Sequence, residues 1–190
     1  MSQAAGHRRW LAFGVIAATV WLADQVSKAW IAANFGPSAP GAPGAGAPTP
    51  VVGDFVRISV THNTGGIFGL FGGSAAVLAL ASIFVVGLII VYQARQGVRS
   101  HWLLTVALAL LLGGALGNLT DRLRFGYVLD FVDVGIGDVR WYTFNVADAA
   151  ISSALVLLVL ITVLGDRLPG SSPHRSPRTV ADTVGEGQRG

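Results

Sequence analysis

Four long apolar segments restrict this chain to one broad class of fold. They run from about Trp10 to Ala33, Ser74 to Tyr92, Trp102 to Leu119 and Val146 to Leu164. Each approaches the roughly 20 residues an α-helix needs to cross a bilayer core. Hydrocarbon offers the backbone no water to bond, so a lone spanning segment adopts the structure that satisfies its own amides, the helix. Composition agrees: 52% of the 190 residues are hydrophobic and 12% are charged, where soluble domains carry about 25%. Mean hydropathy is +0.60. The expectation is an α-helical integral membrane protein with four transmembrane helices, one domain over residues 1–168. Residues 169–190 form a polar Pro/Ser/Arg/Gly-rich tail whose composition fits disorder.

The first segment is the least uniform, because Asp24, Gln25 and Lys28 interrupt its second half. Arg8-Arg9 followed by an apolar run also resembles a cleavable signal peptide. The helical pattern continues past Asp24, which favours a retained span. Arg8, Arg9, Arg95, Arg99, Arg167, Arg175, Arg178 and Arg189 then fall on one side of the membrane, and Lys28, Arg57, Arg122, Arg124 and Arg140 on the other. The positive-inside rule puts both termini in the cytoplasm. Asp24, Asp130 and Asp148 consequently lie toward the outer face.

Between the first two spans, residues 36–50 form a Pro/Gly/Ala-rich linker. After it, Val56, Ile58 and Val60 alternate with Arg57, Ser59 and Thr61, the period of a half-buried strand. Arg124 to Val134 and Val139 to Phe144 read as two more strands, turning around Gly135 to Asp138. A small extracytoplasmic β-sheet is expected on the outer membrane surface.

Several chemistries are excluded or unsupported. Without cysteine there are no disulfides, zinc–thiolate sites or cysteine nucleophiles. His7, His62, His101 and His174 are scattered, with no pair at helix-face ligand spacing, so neither a metal nor a cofactor is expected. The excess of basic residues lies near the ends, where it fits anionic membrane lipid better than nucleic acid.

The polar residues near the outer face each have a bland reading and a functional one. Asp24 and Lys28, four apart, share a helix face and can pair, or they snorkel at a helix end. Asn63-Thr64-Gly65-Gly66-Ile67-Phe68-Gly69 is an ordinary turn, or a loop whose glycines permit close backbone approach. Gly113, Gly114 and Gly117 suit tight helix packing in membranes. Asn118 and Arg122 share a face. Arg122 is an interfacial anchor or a bidentate holder of a carboxylate or phosphate. Asn145 with Asp148 three residues on imitates a capping box at the start of the fourth span. Asp130 is a surface acid at a strand end or a functional group, with Asp133 as a weaker rival. An ionisable group near hydrocarbon costs roughly 2.5–3.5 kcal/mol on insertion scales, so such a group is usually paired, solvated or functional.

Four ordered blocks carry a resemblance. Asp24-Gln25-Val26-Ser27-Lys28, Asn63 to Gly69, Gly113 to Arg122 running on to Val128-Leu129-Asp130-Phe131, and Phe144-Asn145-Val146-Ala147-Asp148 resemble lipoprotein signal peptidase (signal peptidase II) in order, spacing and position relative to the spans. The resemblance covers roughly residues 8 to 166. It implies an aspartic endopeptidase of a bacterial cytoplasmic membrane, acting as a monomer at its extracytoplasmic face. Asp130 and Asp148 would be the catalytic aspartates, and Asp24, Lys28, Asn63, Gly65, Asn118, Arg122 and Asn145 would bind substrate or support the site. The implied substrate is a prolipoprotein bearing diacylglycerol on its cysteine, cut just before that residue. The 36–50 linker and the tail are longer than is usual for the family.

Two adjacent carboxylates cannot both ionise cheaply, so such a pair would titrate as a unit, one member acting as base and the other as acid. Asp148, near a helix N-terminus, is favoured as the anion and hence the base. Arg122 and Lys28 are candidates for polar head-group contacts. Rival readings are a proton-coupled transporter, a non-enzymatic assembly factor and a serine intramembrane protease. Clustering of the acids near one face disfavours the first. The lack of a serine–histidine pair at matching depth disfavours the last.

Overall fold

A computed structural model describes residues 3–36, 48–64, 75–96 and 101–164. Its helices are α1 (Gln3–Phe35), α2 (Ala75–Gln96), α3 (Trp102–Phe125) and α4 (Val146–Leu164), and its strands are β1 (Thr49–Val52), β2 (Val56–Asn63), β3 (Val128–Ile136) and β4 (Val139–Arg140). All four helices are long and apolar enough to span a membrane. Most of the 36–50 linker and the whole 169–190 tail lie outside the described residues.

Helix α3 is the hub. It packs against α1, α2 and α4, and 61% of its most apolar window is buried, against 17% or less for the other three. Phe13 and Ala17 of α1, Ile89 of α2, and Leu108, Ala109 and Leu112 of α3 form one apolar core. The α3 glycines make close approach possible. A Cβ on Gly113 would sit 2.6 Å from the Ala17 carbonyl oxygen, and one on Gly114 would sit 2.5 Å from that of Ala147. The small side chains thus let α1 and α4 press against opposite sides of one turn.

The sheet has the order β1-β2-β3-β4, each neighbour antiparallel. Ile31, Leu129 and Phe131 form a second apolar core with Phe35, Ile58, Val60, Val132 and Val146, which seats the sheet on the end of α1 and the start of α4. An ion cluster ties the far end together. Asp133 accepts from Arg57 Nε and Arg140 Nε, both at 2.9 Å, and Asp54 accepts from Arg57 Nη1 at 3.0 Å. Burial pushes the Asp133 carboxyl up, but hydrogen bonds and charge from Arg140 and Arg57 outweigh it and hold the group below its usual range. Asp133 is thus fully engaged in holding strands together.

Four expectations need correction. The strand expected to begin at Arg124 begins at Val128, because α3 continues to Phe125 and ends on Gly126, whose φ of 77° gives the left-handed cap that glycine adopts without strain. The strand expected over Val139 to Phe144 is ordered as a strand only at Val139–Arg140, with Phe144 rejoining through an isolated bridge to Val132. The intervening turn is Gly137-Asp138, with Gly137 at φ 54°. Strand β1 was not expected at all; it lies across the end of the presumed linker, and a single proline inside a four-residue edge strand gives almost no periodic signal.

Candidate active site

The end of α3, the start of β3 and the first turn of α4 converge on one polar cluster. Asn145 is its organiser. Its carbonyl accepts the first helical bond of α4 from Ala149 N at 3.1 Å, its side-chain oxygen accepts from Asp148 N at 2.9 Å, and its own N–H donates to Asp148 Oδ2 at 3.3 Å. This is the reciprocal capping box that the spacing suggested. The cap leaves the Asn145 amide nitrogen free to donate elsewhere. Nδ2 donates to Asp130 Oδ1 at 2.7 Å and to Asn118 Oδ1 at 3.2 Å. One buried residue therefore caps α4 and hydrogen-bonds both aspartates.

Each carboxylate has a second donor. Asn63 Nδ2, at the end of β2, donates to Asp130 Oδ2 at 3.0 Å, and Asn118 Nδ2 donates to Asp148 Oδ1 at 2.8 Å. Asp130 is only 1% exposed, whereas Asp148 is half-buried. Burial, then the charge of Asp148, raise the Asp130 pKa to about 7, against the lowering effect of its bonds to Asn63 and Asn145 and of the Lys28 charge. At neutral pH this carboxyl is poised between its two forms.

Behind the pair lies an ion cluster that couples α1 to α3. Lys28 Nζ meets Asp24 Oδ2 at 2.8 Å, Asp121 Oδ2 at 2.9 Å and Asn118 Oδ1 at 3.2 Å. An ammonium has three N–H donors, and these acceptors use all of them. Asp24 Oδ1 accepts from Ala147 N at 3.0 Å and so holds the α4 N-terminus from α1. Asp121 Oδ2 accepts from Leu129 N at 3.1 Å and fixes the strand residue next to Asp130. Gly117 completes the fit, since a Cβ there would fall 2.6 Å from Asp24 Oδ2.

Two readings of Lys28 are thereby corrected. It neither snorkels nor is available to a head group, because it is 5% exposed and its donors are committed. Arg122 differs: it is half-buried and donates through Nη1 to Asn118 O at a long 3.4 Å, with no carboxylate partner within salt-bridge distance among the described residues. Gly65, with residues 66–69 of its motif, lies outside the described residues. The structure brings together Asp24, Lys28, Asn63, Asn118, Asn145, Asp130 and Asp148, with Arg122 at the edge. Sequence reasoning missed Asp121 and Gln25, whose Nε2 bonds Asp121 Oδ1 at 3.0 Å. The available signal was spacing: Asp121 follows Asn118 by three residues and so shares its helix face.

A cavity of about 370 Å³ lies beside this cluster and is lined by Lys28 and Asp121, but neither Asp130 nor Asp148 lines it. We place the candidate active site at the carboxylates, since the convergent polar groups and the perturbed acid are there.

The chain as a whole resembles known proteins. The family described as Signal peptidase (SPase) II matches residues 16–164. A lipoprotein signal peptidase of Moorella thermoacetica is 40% identical over 146 residues, covering 77% of this chain and 89% of that protein. One from Desulfitobacterium hafniense is 37% identical over 159 residues, covering 83% and 94%. A bacterial membrane enzyme solved by the in meso method at 2.3 Å resolution superposes with a TM-score of 0.70 at 26% identity, covering 89% of this chain and 94% of that one. On sequence and fold alike, this chain belongs to the signal peptidase II family of aspartic peptidases.

Proposed function

We propose that Asp130 and Asp148 are the catalytic pair with which this peptidase removes signal peptides from diacylglyceryl-modified prolipoproteins, cutting just before the lipidated cysteine. The observation that carries the reading is Asn145, which hydrogen-bonds both carboxylates from one buried position. Asp148 is the more open of the two and accepts donors from Asn118 and the Asn145 backbone, which suits an anion at a helix N-terminus. It activates water as the general base. Asp130, with its pKa near 7, supplies the proton that polarises the scissile carbonyl and later protonates the leaving amine. Asn63, Asn118 and Asn145 hold the two carboxyl groups in register. Arg122 directs its uncommitted guanidinium donors to substrate, and Gly65 admits the substrate backbone.

The charge distribution supports a cytoplasmic location for both termini and an active site at the outer face of a bacterial cytoplasmic membrane. A single chain carries both aspartates, which suits a monomer. Family membership disfavours the transporter and assembly-factor readings. The test is processing of a lipidated precursor by purified protein. Asp130→Asn and Asp148→Asn should each lose about 10²–10⁴-fold in rate, the usual worth of general acid–base catalysis. A wild-type rate from either variant would overturn the assignment. Unlipidated precursor should be cleaved poorly, because each buried methylene contributes about 0.8 kcal/mol to binding. Equal rates with and without the lipid would remove the lipid from recognition.

A further inference from the structure

The cavity beside the active site has its own design. It lies where α1 and α3 reach the end of their membrane-spanning stretches and meet the sheet, with walls from Ala29, Ala32, Val60 and Leu129. Its volume of about 370 Å³ falls within the range of small-molecule sites, about 300–1,000 Å³. Its floor is electrostatically closed, since Lys28 and Asp121 face it already paired at 2.9 Å. Its rim is not. Arg124 lines the opening, is exposed, and has no carboxylate within salt-bridge distance among the described residues.

The rim carries a run of planar groups. His62 lies over Tyr127 with ring centroids 4.2 Å apart, Tyr127 stacks on Phe125 at 5.8 Å, and the Arg124 guanidinium sits 5.3 Å from the Phe125 ring. Aromatic side chains with a polar edge favour the head-group level of a bilayer, and arginine binds phosphate in a bidentate manner. Among the described residues, neither guanidinium in the last turn of α3 has a carboxylate partner within salt-bridge distance: Arg122 donates to Asn118 O beside the aspartates, and Arg124 lines the cavity.

We propose that this cavity is a phospholipid site separate from the substrate site, holding the phosphate of an anionic lipid at Arg124 beside His62 and one acyl chain against Ala29, Ala32, Val60 and Leu129. An apolar interior with a closed floor accepts a chain, and a cation at the mouth selects a net negative head. A free phosphate would leave the apolar walls unused. The proposal does not depend on which residues perform catalysis.

Native mass spectrometry of the full chain in a neutral detergent tests it, with phosphatidylglycerol, phosphatidylcholine and inorganic phosphate added in turn. One phosphatidylglycerol should be retained per chain in preference to phosphatidylcholine, and inorganic phosphate should not displace it. Arg124→Gln should weaken that retention about tenfold, the scale of one charge-assisted hydrogen bond. Ala32→Trp should abolish it by filling the cavity. Both variants should process a lipidated precursor in lipid-free micelles with unchanged KM and kcat. Equal retention of the two lipids, or retention unaffected by Arg124→Gln, would reduce the site to bulk lipid contact and overturn the proposal. Displacement by inorganic phosphate would make it a free-anion site. A raised KM in a normally melting Ala32→Trp protein would make it part of the substrate site instead.

Discussion

Asn145 illustrates why the bland and functional readings of a residue need not compete. Capping α4 fixes the Asn145 side chain, and that fixed side chain then presents Nδ2 to Asp130. The pH dependence of the enzyme follows from the same contacts. Asp130 has a raised pKa, so it keeps its proton below about 7 and loses it as pH rises through that value. If the protonated form is the acid, kcat/KM should fall on the alkaline side with an apparent pKa near 7, read from a pH–rate profile. Asn145→Asp keeps a capping oxygen but sets another carboxylate against Asp130. It should lower activity and move that alkaline limb to higher pH, because a neighbouring negative charge disfavours ionisation. An unmoved limb would detach Asp130 from the profile. The two aspartates and Asn145 were legible in sequence because each stands out against apolar neighbours or at a helix start. Asp121 was not, because its meaning depends on Lys28 arriving from α1 and Leu129 N–H arriving from β3. Its three-residue spacing puts it on the helix face of Asn118, but that spacing names neither partner.

At the scale of elements, α3 sets the separation of everything around it. Gly113 and Gly117 face α1, while Gly114 faces α4, and each approaches its neighbour too closely for a Cβ. Gly117→Ala should therefore push the Asp24 carboxylate off the α4 N-terminus. We expect about 1–3 kcal/mol of destabilisation, the usual cost of overpacking, seen as a lower melting temperature, together with a fall in kcat, since Asp24 holds Ala147 N next to Asp148. Gly87, with nothing near its Cβ position, supplies the control, and Gly87→Ala should lower neither. The spans themselves were legible because apolar runs of that length have one solution in a membrane. The strand limits were less so. Besides its backbone ladders, the far end of the sheet is tied by Arg57–Asp133 and Arg140–Asp54 ion pairs, 76 and 86 positions apart, and such long-range pairing leaves no alternating pattern to read.

For the whole molecule, orientation decides whether the aspartates can meet an exported substrate. The sheet and the carboxylate pair lie at one end of the bundle, the end reached by the C-terminal halves of α1 and α3 and by the start of α4. In the sequence, eight arginines precede the first span, separate the second from the third or follow the fourth, against four in the segments that carry the sheet and the aspartates, and lysine and arginine bias in short loops fixes how spans insert. The chain has no cysteine of its own, so single cysteines report topology without background. Val139→Cys, at the exposed β3–β4 hairpin, should react with a membrane-impermeant maleimide added to intact spheroplasts. Ser172→Cys, in the tail, should react only after the membrane is opened. Both variants should retain wild-type processing, since Val139 lies outside the polar cluster and Ser172 lies beyond the 16–164 stretch that matches the family. The reversed labelling pattern would put Asp130 and Asp148 on the cytoplasmic side, where a prolipoprotein still threaded through the membrane could not present its lipidated cysteine to them.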